Sequence, residues 1–349
     1  VKAPRREEVE MSKRATMRVV RADRVGPPEV LEVVEVPVPE PGPGQVRIRV
    51  TGAAVHYSDV MQRRGSAYPF PTTFPYVPGS EVVGEVDACG AGVKHLARGT
   101  RVVALVGRSG ESGYADFAIA EAARAAPLPP GLDDHAAVGL LVAGTTAVLL
   151  LETARLAAGE TILVQGAAGG VGTIALQLAR HAGATVIGAA STEDKRSLAR
   201  RLGAHHVIDA SRELAAQVRA VGTPDVVLEM TGGSSLEDSL SCLAPFGRVV
   251  VYGAARAGTT HRLGQPALDR WLSDPALGQS VTAFNLGLVF GLRPALAARA
   301  TQTLFGHVMS GVVTPHVGHV LPLTRAAEAH RLLQERRSIG KIVLDPRKD

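Results

Sequence analysis

With 349 residues the chain is long enough to bury a sizeable core and to form about two domains, and its 46% hydrophobic and 20% charged content is that of an ordinary globular protein. The net charge of +5 (38 basic against 33 acidic residues) is scattered, and with only 4% aromatics there is no basic stripe interleaved with rings, so a nucleic-acid partner is not expected. Two cysteines, Cys89 and Cys242, form no C-x-x-C pair and exclude a disulfide framework and a cysteine-based zinc site.

Residues 1–16, "VKAPRREEVEMSKRAT", are charged and lack periodicity; they read as a disordered tail. No signal-peptide pattern is visible, and the cytoplasm is the expected location. Over residues 17–138 short β-rich runs alternate with Gly/Pro turns: "MRVVRAD", "LEVVEVPVP", "QVRIRVTGAAV", "SEVVGEVDACG" and "TRVVAL". That punctuation predicts an all-β, barrel-like lobe. The proline-rich loops "PVPEPGPGQ" and "YPFPTTFPYVPG" favour extended backbone over helix. The uncharged "AAVGLLVAGTTAVLLL" is short and Gly/Thr-rich for a bilayer span, so a buried helix is expected and no membrane partner.

Over residues 139–285 the pattern becomes strand, helix, strand, helix: "ETILVQG" then "GVGTIALQLARHAG", "TVIGAAS" then "EDKRSLARRLG", "HHVID" then "SRELAAQVRAVG", "PDVVLEMTG" then "SSLEDSLSCL", and finally "GRVVVYGA". Uninterrupted Val/Ile/Leu runs suit strands buried on both faces, and their alternation with helices predicts a doubly wound parallel sheet. A strand-like "SVTAFNLG" follows. The chain then continues through helical stretches to a helix starting near Thr324 and a closing strand "GKIVL". The fold class is therefore α/β, with residues 17–138 and 286–349 expected to form a discontinuous β-rich domain and 139–285 a dinucleotide-type domain.

The turn "VQGAAGGVG" sits between a strand and a helix inside a βαβ unit, the context in which a glycine-rich turn seats a pyrophosphate. Gly169 permits the tight turn, Gly172 permits close helix–strand packing, and Ala167 stands where the first Gly of G-x-G-x-x-G is usual. Ala168, Gly169, Gly170 and Val171 are the candidate phosphate-facing residues, with the helix N-terminus behind them; a purely structural βα turn is the alternative. An acidic residue about 20 positions on would grip a ribose 2′-OH. That place falls on Ala190 or Ser191, neither acidic, while Ser191 and Lys195 can meet a 2′-phosphate. The expected cofactor is therefore NADPH. Arg196, Arg200 and Arg201 could assist, or form an exposed helix face.

"HYSDVMQRRG", "VPGSEVVGEV", "RVVAL", "SGYAD", "LLVAGTTA", "GAAGGVG" and "GKIVL", in this order over Met17 to Pro346, resemble the medium-chain dehydrogenase/reductase superfamily in its zinc-free, zeta-crystallin-like quinone oxidoreductase branch, which includes enone and enoyl reductases. The resemblance implies a GroES-like β-rich catalytic lobe beside a Rossmann lobe. It implies Thr146 beside the nicotinamide, Ser191 and Lys195 at the 2′-phosphate, Gly253 near the nicotinamide ribose and Lys341 at the cofactor cleft. Zinc alcohol dehydrogenases carry a Cys before the Ser/Thr-Asp pair and a Gly-His-Glu. Here His56 stands in the Cys place and Ser80 in the His place, with Glu81 kept, and no metal is expected.

Relatives usually have Asn at His56, where histidine brings a group titrating near neutrality. The implied reaction is hydride transfer to a quinone or to the β-carbon of an α,β-unsaturated carbonyl. His56, Tyr57 and Tyr68 are the candidate donors, Ser58 and Arg64 stand behind them, and solvent is the alternative proton source. A packed ring is the competing reading of Tyr57. A polyketide or other secondary-metabolite tailoring reductase is one alternative function; a non-catalytic, crystallin-like NADPH binder is another. The strand "SVTAFNLG" suggests a homodimer.

Overall fold

Short strands between Gly/Pro turns open the chain. The computed structural model describes residues 15–66, 71–107, 112–253 and 277–348. Strands β1 (Thr16–Arg21) and β2 (Glu32–Pro37) pair antiparallel, and Thr16, expected in the tail, pairs with Pro37. Residues 1–14 lie outside the described residues. There follow β3 (Gln45–Val55), helix α1 (Tyr57–Arg63), β4 (Glu81–Cys89), β5 (Arg101–Leu105), β6 (Phe117–Glu121), β7 (Ala125–Pro127) and α2 (Asp134–Ala137).

The next stretch runs α3 (Thr145–Ala154), β8 (Thr161–Gln165), α4 (Gly170–His181), β9 (Thr185–Ala190), α5 (Glu193–Arg201), β10 (His206–Asp209), α6 (Leu214–Val221), β11 (Val226–Glu229), α7 (Ser234–Ser241) and β12 (Arg248–Val251). After the undescribed residues come β13 (Ser280–Ala283), α8 (Leu286–Leu292) and α9 (Pro294–Met309), and then β14 (Val317–Leu321), α10 (Ala326–Gln334) and β15 (Lys341–Leu344).

Contacts divide the chain into two units, Val1–Leu141 with Val317–Asp349, and Val142–His316. In the first, a sheet in the order β14-β15-β3-β4-β5-β7, with β6 also on β3, wraps a core that includes Ile48, Val82, Val102, Tyr114, Leu323 and Ile342. β15 is antiparallel to β3, Ile342 facing Val55, so the last strand lies inside this sheet. In the second, six parallel strands run in the order β10-β9-β8-β11-β12-β13. The strand order reverses at β8, and open α/β sheets bind ligands beyond the strand ends at such a switch.

One expectation meets a correction of detail. The sequence pattern places the helices after residue 286 in the β-rich domain, yet α8 and α9 belong to the second unit, and the return begins at Val317. The cause is packing of α9 on α3: Thr145 Oγ1 lies 2.8 Å from Thr301 Oγ1, and Arg299 pairs with Glu152 at 2.7 Å. The stretch Asp134–Ala154 is apolar and long enough to cross a membrane, but 72% of its apolar window is buried within the protein, as for a core helix.

Gly84 shows how tightly the first sheet is drawn. A Cβ there would lie 2.1 Å from the Arg49 carbonyl oxygen and 2.9 Å from Ile48 Cγ2, and backbone cannot withdraw as a side chain can. Gly84→Ala is expected to cost at least about 2 kcal/mol, read as a lower denaturant midpoint; an unchanged midpoint would show that β3 and β4 can separate at no cost.

Candidate functional site

Each unit carries a polar site of its own. In the second, β8 ends at the buried Gln165 and the chain turns at Gly166, whose φ of +60° is the left-handed region that favours glycine. Gly169 N–H donates to Gly166 O at 2.8 Å. Gly169 is also the N-cap of α4 and supplies no side-chain cap, so the amides that open α4 keep their capacity for an anion. A Cβ on Gly172 would stand 2.3 Å from Gly166 O, so the helix rests on the turn only because that side chain is missing. Ala167, which replaces the usual first glycine, is fully buried, and Gly188 of β9 makes its room: a Cβ there would be 3.3 Å from the Ala167 methyl. Ala168, Gly169, Gly170 and Val171 are thus together on one turn.

β9 ends at Ala190, and Ser191 and Thr192 lead into α5, where Thr192 Oγ1 accepts from Lys195 N–H. Arg196 pairs with Glu193 at 3.1 Å and Asp209 at 3.3 Å, and Arg200 pairs with Glu193 at 2.6 Å. Glu193, the first residue of α5, is therefore engaged by two guanidinium groups. A cavity of about 50 Å³ at this end of the sheet is lined by Gln165, Gly166, Ala189, Arg212, Thr231 and Ser235 among others.

Beneath it lies a cluster that the sequence reading missed. The fully buried Glu229, last residue of β11, accepts Gln165 Nε2 at 2.5 Å, Thr231 N–H at 2.6 Å and Gly232 N–H at 2.9 Å, with Ser239 Oγ also at 2.9 Å. Thr231 Oγ1 donates to Gln165 Oε1 at 2.7 Å. The signal was present as polar residues closing apolar strands, "ILVQ" and "VVLE". Thr146 is buried on α3, its hydroxyl donating to Val142 O at 2.6 Å. Gly253 follows β12 where a Cβ would lie 3.1 Å from Met230 O.

In the first unit β3 delivers His56 to the head of α1, where its N–H donates to Asp59 Oδ2 at 2.8 Å. Glu81, first residue of β4 and fully buried, accepts Gly139 N–H at 2.9 Å and Leu141 N–H at 2.8 Å on Oε1, while Oε2 lies 3.1 Å from His56 Nε2. Burial alone would raise the Glu81 pKa; the His56 hydrogen bond, the nearby His56 and Lys341 charges and the Leu141 N–H outweigh it and hold the carboxyl below its usual range. An ionised Glu81 takes its hydrogen from Nε2 of His56, which leaves Nδ1 as an acceptor. Lys341 Nζ stands 2.9 Å from that Nδ1. Burial pulls the Lys341 ammonium down to about 8, against the opposing pull of the Glu81 and Asp59 charges.

A second layer backs this trio. Asp59 Oδ2 also accepts Tyr114 OH at 3.1 Å, and Tyr114 OH lies 3.3 Å from His330 Nε2. Burial, assisted by the Arg63 charge, pushes His330 down to about 3, so a neutral ring donates to the phenol oxygen. Arg63 is enclosed and donates to Gln334 Oε1 at 2.9 Å. Neither Tyr114 nor His330 is among the residues that the sequence singles out. His330 was legible only as a polar residue on the buried face of α10.

Of the candidate donors, His56 joins Lys341 and Glu81. Tyr57 opens α1, half-buried, and Arg64 is exposed at the end of that helix. Tyr68 lies outside the described residues.

Comparison with known proteins agrees with both units. Residues 42–130 match the alcohol dehydrogenase GroES-like domain, and residues 170–270 match the zinc-binding dehydrogenase domain. The chain is 35% identical to a 2-haloacrylate reductase of Burkholderia over 85% of its length and 90% of the relative's. It is also 35% identical to a quinone oxidoreductase of Pseudomonas aeruginosa, over 92% and 97% respectively. The crystal structure of an Escherichia coli quinone oxidoreductase complexed with NADPH superposes with a TM-score of 0.84 at 29% identity, covering 95% of this chain and 100% of that one. The chain belongs to the medium-chain dehydrogenase/reductase superfamily, in the branch that holds the quinone oxidoreductases, and is an enzyme of that branch.

Proposed function

We propose that the protein is an NADPH-dependent reductase that passes hydride, without a metal, to a quinone or to the β-carbon of an α,β-unsaturated carbonyl. NADPH supplies the hydride; the E. coli relative is complexed with it. The glycine turn suits its pyrophosphate, with Ala168, Gly169, Gly170 and Val171 against the phosphates, and Ser191 and Lys195 suit a 2′-phosphate beyond a strand that ends without an acid. Thr146 and Gly253 are the proposed nicotinamide-side residues. For Lys341 the sequence offered a cofactor role, and its buried bond to His56 gives it a second reading.

The observation that carries the metal-free reading is the bond from Lys341 to His56. The matched domain's description implies zinc, which needs three protein ligands and an open position. Of the corresponding residues, Ser80 is no ligand of the usual kind, and Glu81 and His56 are bonded to each other. Their remaining capacity is taken by two backbone N–H groups and by an ammonium. A divalent ion brought there would meet a positive charge and only one carboxylate, so this donor set does not fit it. Among the described residues no group of three or more His, Cys, Asp and Glu could hold a metal ion.

A homodimer is part of the proposal. β13 is the edge of the six-stranded sheet among the described strands, and near it in sequence Leu288 and Leu292 are 55% and 73% exposed.

Protein dialysed against EDTA is expected to oxidise NADPH with 1,4-benzoquinone or but-3-en-2-one as fast as untreated protein. Measurable NADPH binding without turnover would instead favour the non-catalytic binder. Lys195→Ala is expected to weaken NADPH about tenfold and NADH by less than about twofold; equal losses would remove the 2′-phosphate assignment. Light scattering at micromolar concentration should return twice the chain mass, and a single-chain mass contradicts the dimer.

A further inference from the structure

We propose that Arg212, on the loop after β10, is a specificity-determining residue: its guanidinium turns from Asp209 to the 2′-phosphate of the cofactor and sets the preference for NADPH over NADH. The inference rests on the NADPH reading above. It goes beyond that reading because neither the glycine turn nor the end of β9 points to this residue.

Backbone pairing puts the loop in place. β10 runs beside β9 with Asp209 in register with Ala190, the last residue of the strand that ends without an acid. Ala210 N–H donates to Ala190 O at 3.2 Å, so the loop stays against that strand end. Arg212 N–H donates to Asp209 O at 3.1 Å, which ties the backbone carrying the guanidinium to the end of β10. The cavity of about 50 Å³ joins this loop to the glycine turn: Ala210, Arg212 and Leu214 line it together with Gly166 and Ala189. It lies where the parallel strands stop, the place such sheets give to a dinucleotide, and an arginine near the end of the second strand suits a 2′-phosphate. Asp238 also lines the cavity, but from α7, which follows β11, and β8 and β9 stand between β11 and β10.

The other arginines of this corner are committed. Arg196 is held by Glu193 at 3.1 Å, by Asp209 at 3.3 Å and by Ala190 O at 3.3 Å. Arg200 bonds Glu193 at 2.6 Å. Arg201 acts on His316, where its charge adds to burial in lowering the pKa of the ring. Arg212 differs. Its Nε stands 3.6 Å from Asp209 Oδ2, past hydrogen-bond reach, and its side chain is 79% exposed. Among the described residues its guanidinium makes no hydrogen bond, so its five donors are available to a ligand.

Asp209 does not depend on Arg212. Its Oδ1 accepts Ser211 N–H at 2.9 Å and Ser211 Oγ at 2.6 Å, and its Oδ2 faces Arg196. The Ser211 bonds first, and then the charges of Arg196 and Arg212, hold the carboxyl below its usual range. When Arg212 turns away, Ser211 and Arg196 remain, and the acid stays occupied beside the entering phosphate. The exchange gives up a long, exposed ion pair, a kind that contributes little. It gains a guanidinium–phosphate pair, which two parallel N–H···O bonds can make at once. NADH presents a neutral 2′-hydroxyl instead, with no charge for the guanidinium to answer.

The test titrates the full chain calorimetrically with the nucleotide half of the cofactor: 2′,5′-ADP carries the 2′-phosphate and 5′-AMP lacks it. Wild type should bind 2′,5′-ADP the more tightly. Arg212→Gln should weaken 2′,5′-ADP about tenfold and leave 5′-AMP within about twofold, and NADPH and NADH should divide in the same way. Arg212→Lys, which keeps the charge without the fork, should recover part of the loss. Because the side chain is exposed, both variants should keep the wild-type denaturant midpoint. Equal losses for the two nucleotides overturn the proposal and make Arg212 a contact of the adenosine. An unchanged 2′,5′-ADP Kd in Arg212→Gln overturns it too. A wild type that binds both nucleotides equally removes the NADPH reading itself, whatever the variants do.

Discussion

Burying the Glu81 carboxylate is the constraint around which the first unit is arranged. A carboxylate taken out of water is tolerated only where hydrogen bonds and opposite charge replace its solvation. Here the replacement comes from four directions: N–H groups of Gly139 and Leu141, the ring of His56, and the charge of Lys341 beyond it. These partners arrive on three different pieces of chain, the turn at 139–141, the end of β3 and the start of β15. Satisfying one acid therefore fixes where three segments end. Removing any one partner would leave a buried charge exposed to a low dielectric, which is why such sets resist piecemeal change.

The second unit solves a similar problem at the same kind of place. Glu229 closes β11 and Gln165 closes β8, side by side in the sheet at its switch point. Their polar ends occupy the layer where the buried strands stop and the loops begin, and they satisfy the backbone N–H groups of Thr231 and Gly232. The glycine turn starts from Gln165, so its geometry is set by a side chain beneath it as well as by its glycines. The methyl of Ala167 is accepted because Gly188 on the neighbouring strand gives way, one departure from the glycine pattern compensated by another glycine.

This explains how far the sequence could be read. Period, turn residues and strand–helix alternation are local, and they located β8 to β12 and the helices between them, β1 to β5 of the first lobe, and the closing strand at Lys341, but not the short β6, β7 and β14. Pairings between residues far apart in sequence were not legible. Lys341 and His56 are 285 positions apart, and nothing in "GKIVL" says that its lysine meets a histidine. The place of α9 likewise depends on Thr301 meeting Thr145 and Arg299 meeting Glu152, contacts that no periodicity announces. His330 and Glu229 looked like interruptions of apolar patterns; what each interruption was for could be seen only once its partners were in place.

The two layers of the first site differ in charge, and that difference gives the histidine at position 56 its meaning. Behind it, His330 is driven neutral by burial and by Arg63, and burial raises both Asp59 and Tyr114 above their ordinary ranges. That layer holds α1 by hydrogen bonds from Asp59 through Tyr114 to His330. In front, an ionised Glu81 and a lysine brought within reach of neutral pH flank a ring that can accept from one and donate to the other. An asparagine in the same place could bridge the two but could not exchange a proton with either. The two layers thus differ in what answers each buried carboxyl, an ammonium beyond the histidine in front and a phenol and a neutral ring behind, an order that follows from which partners each buried group was given.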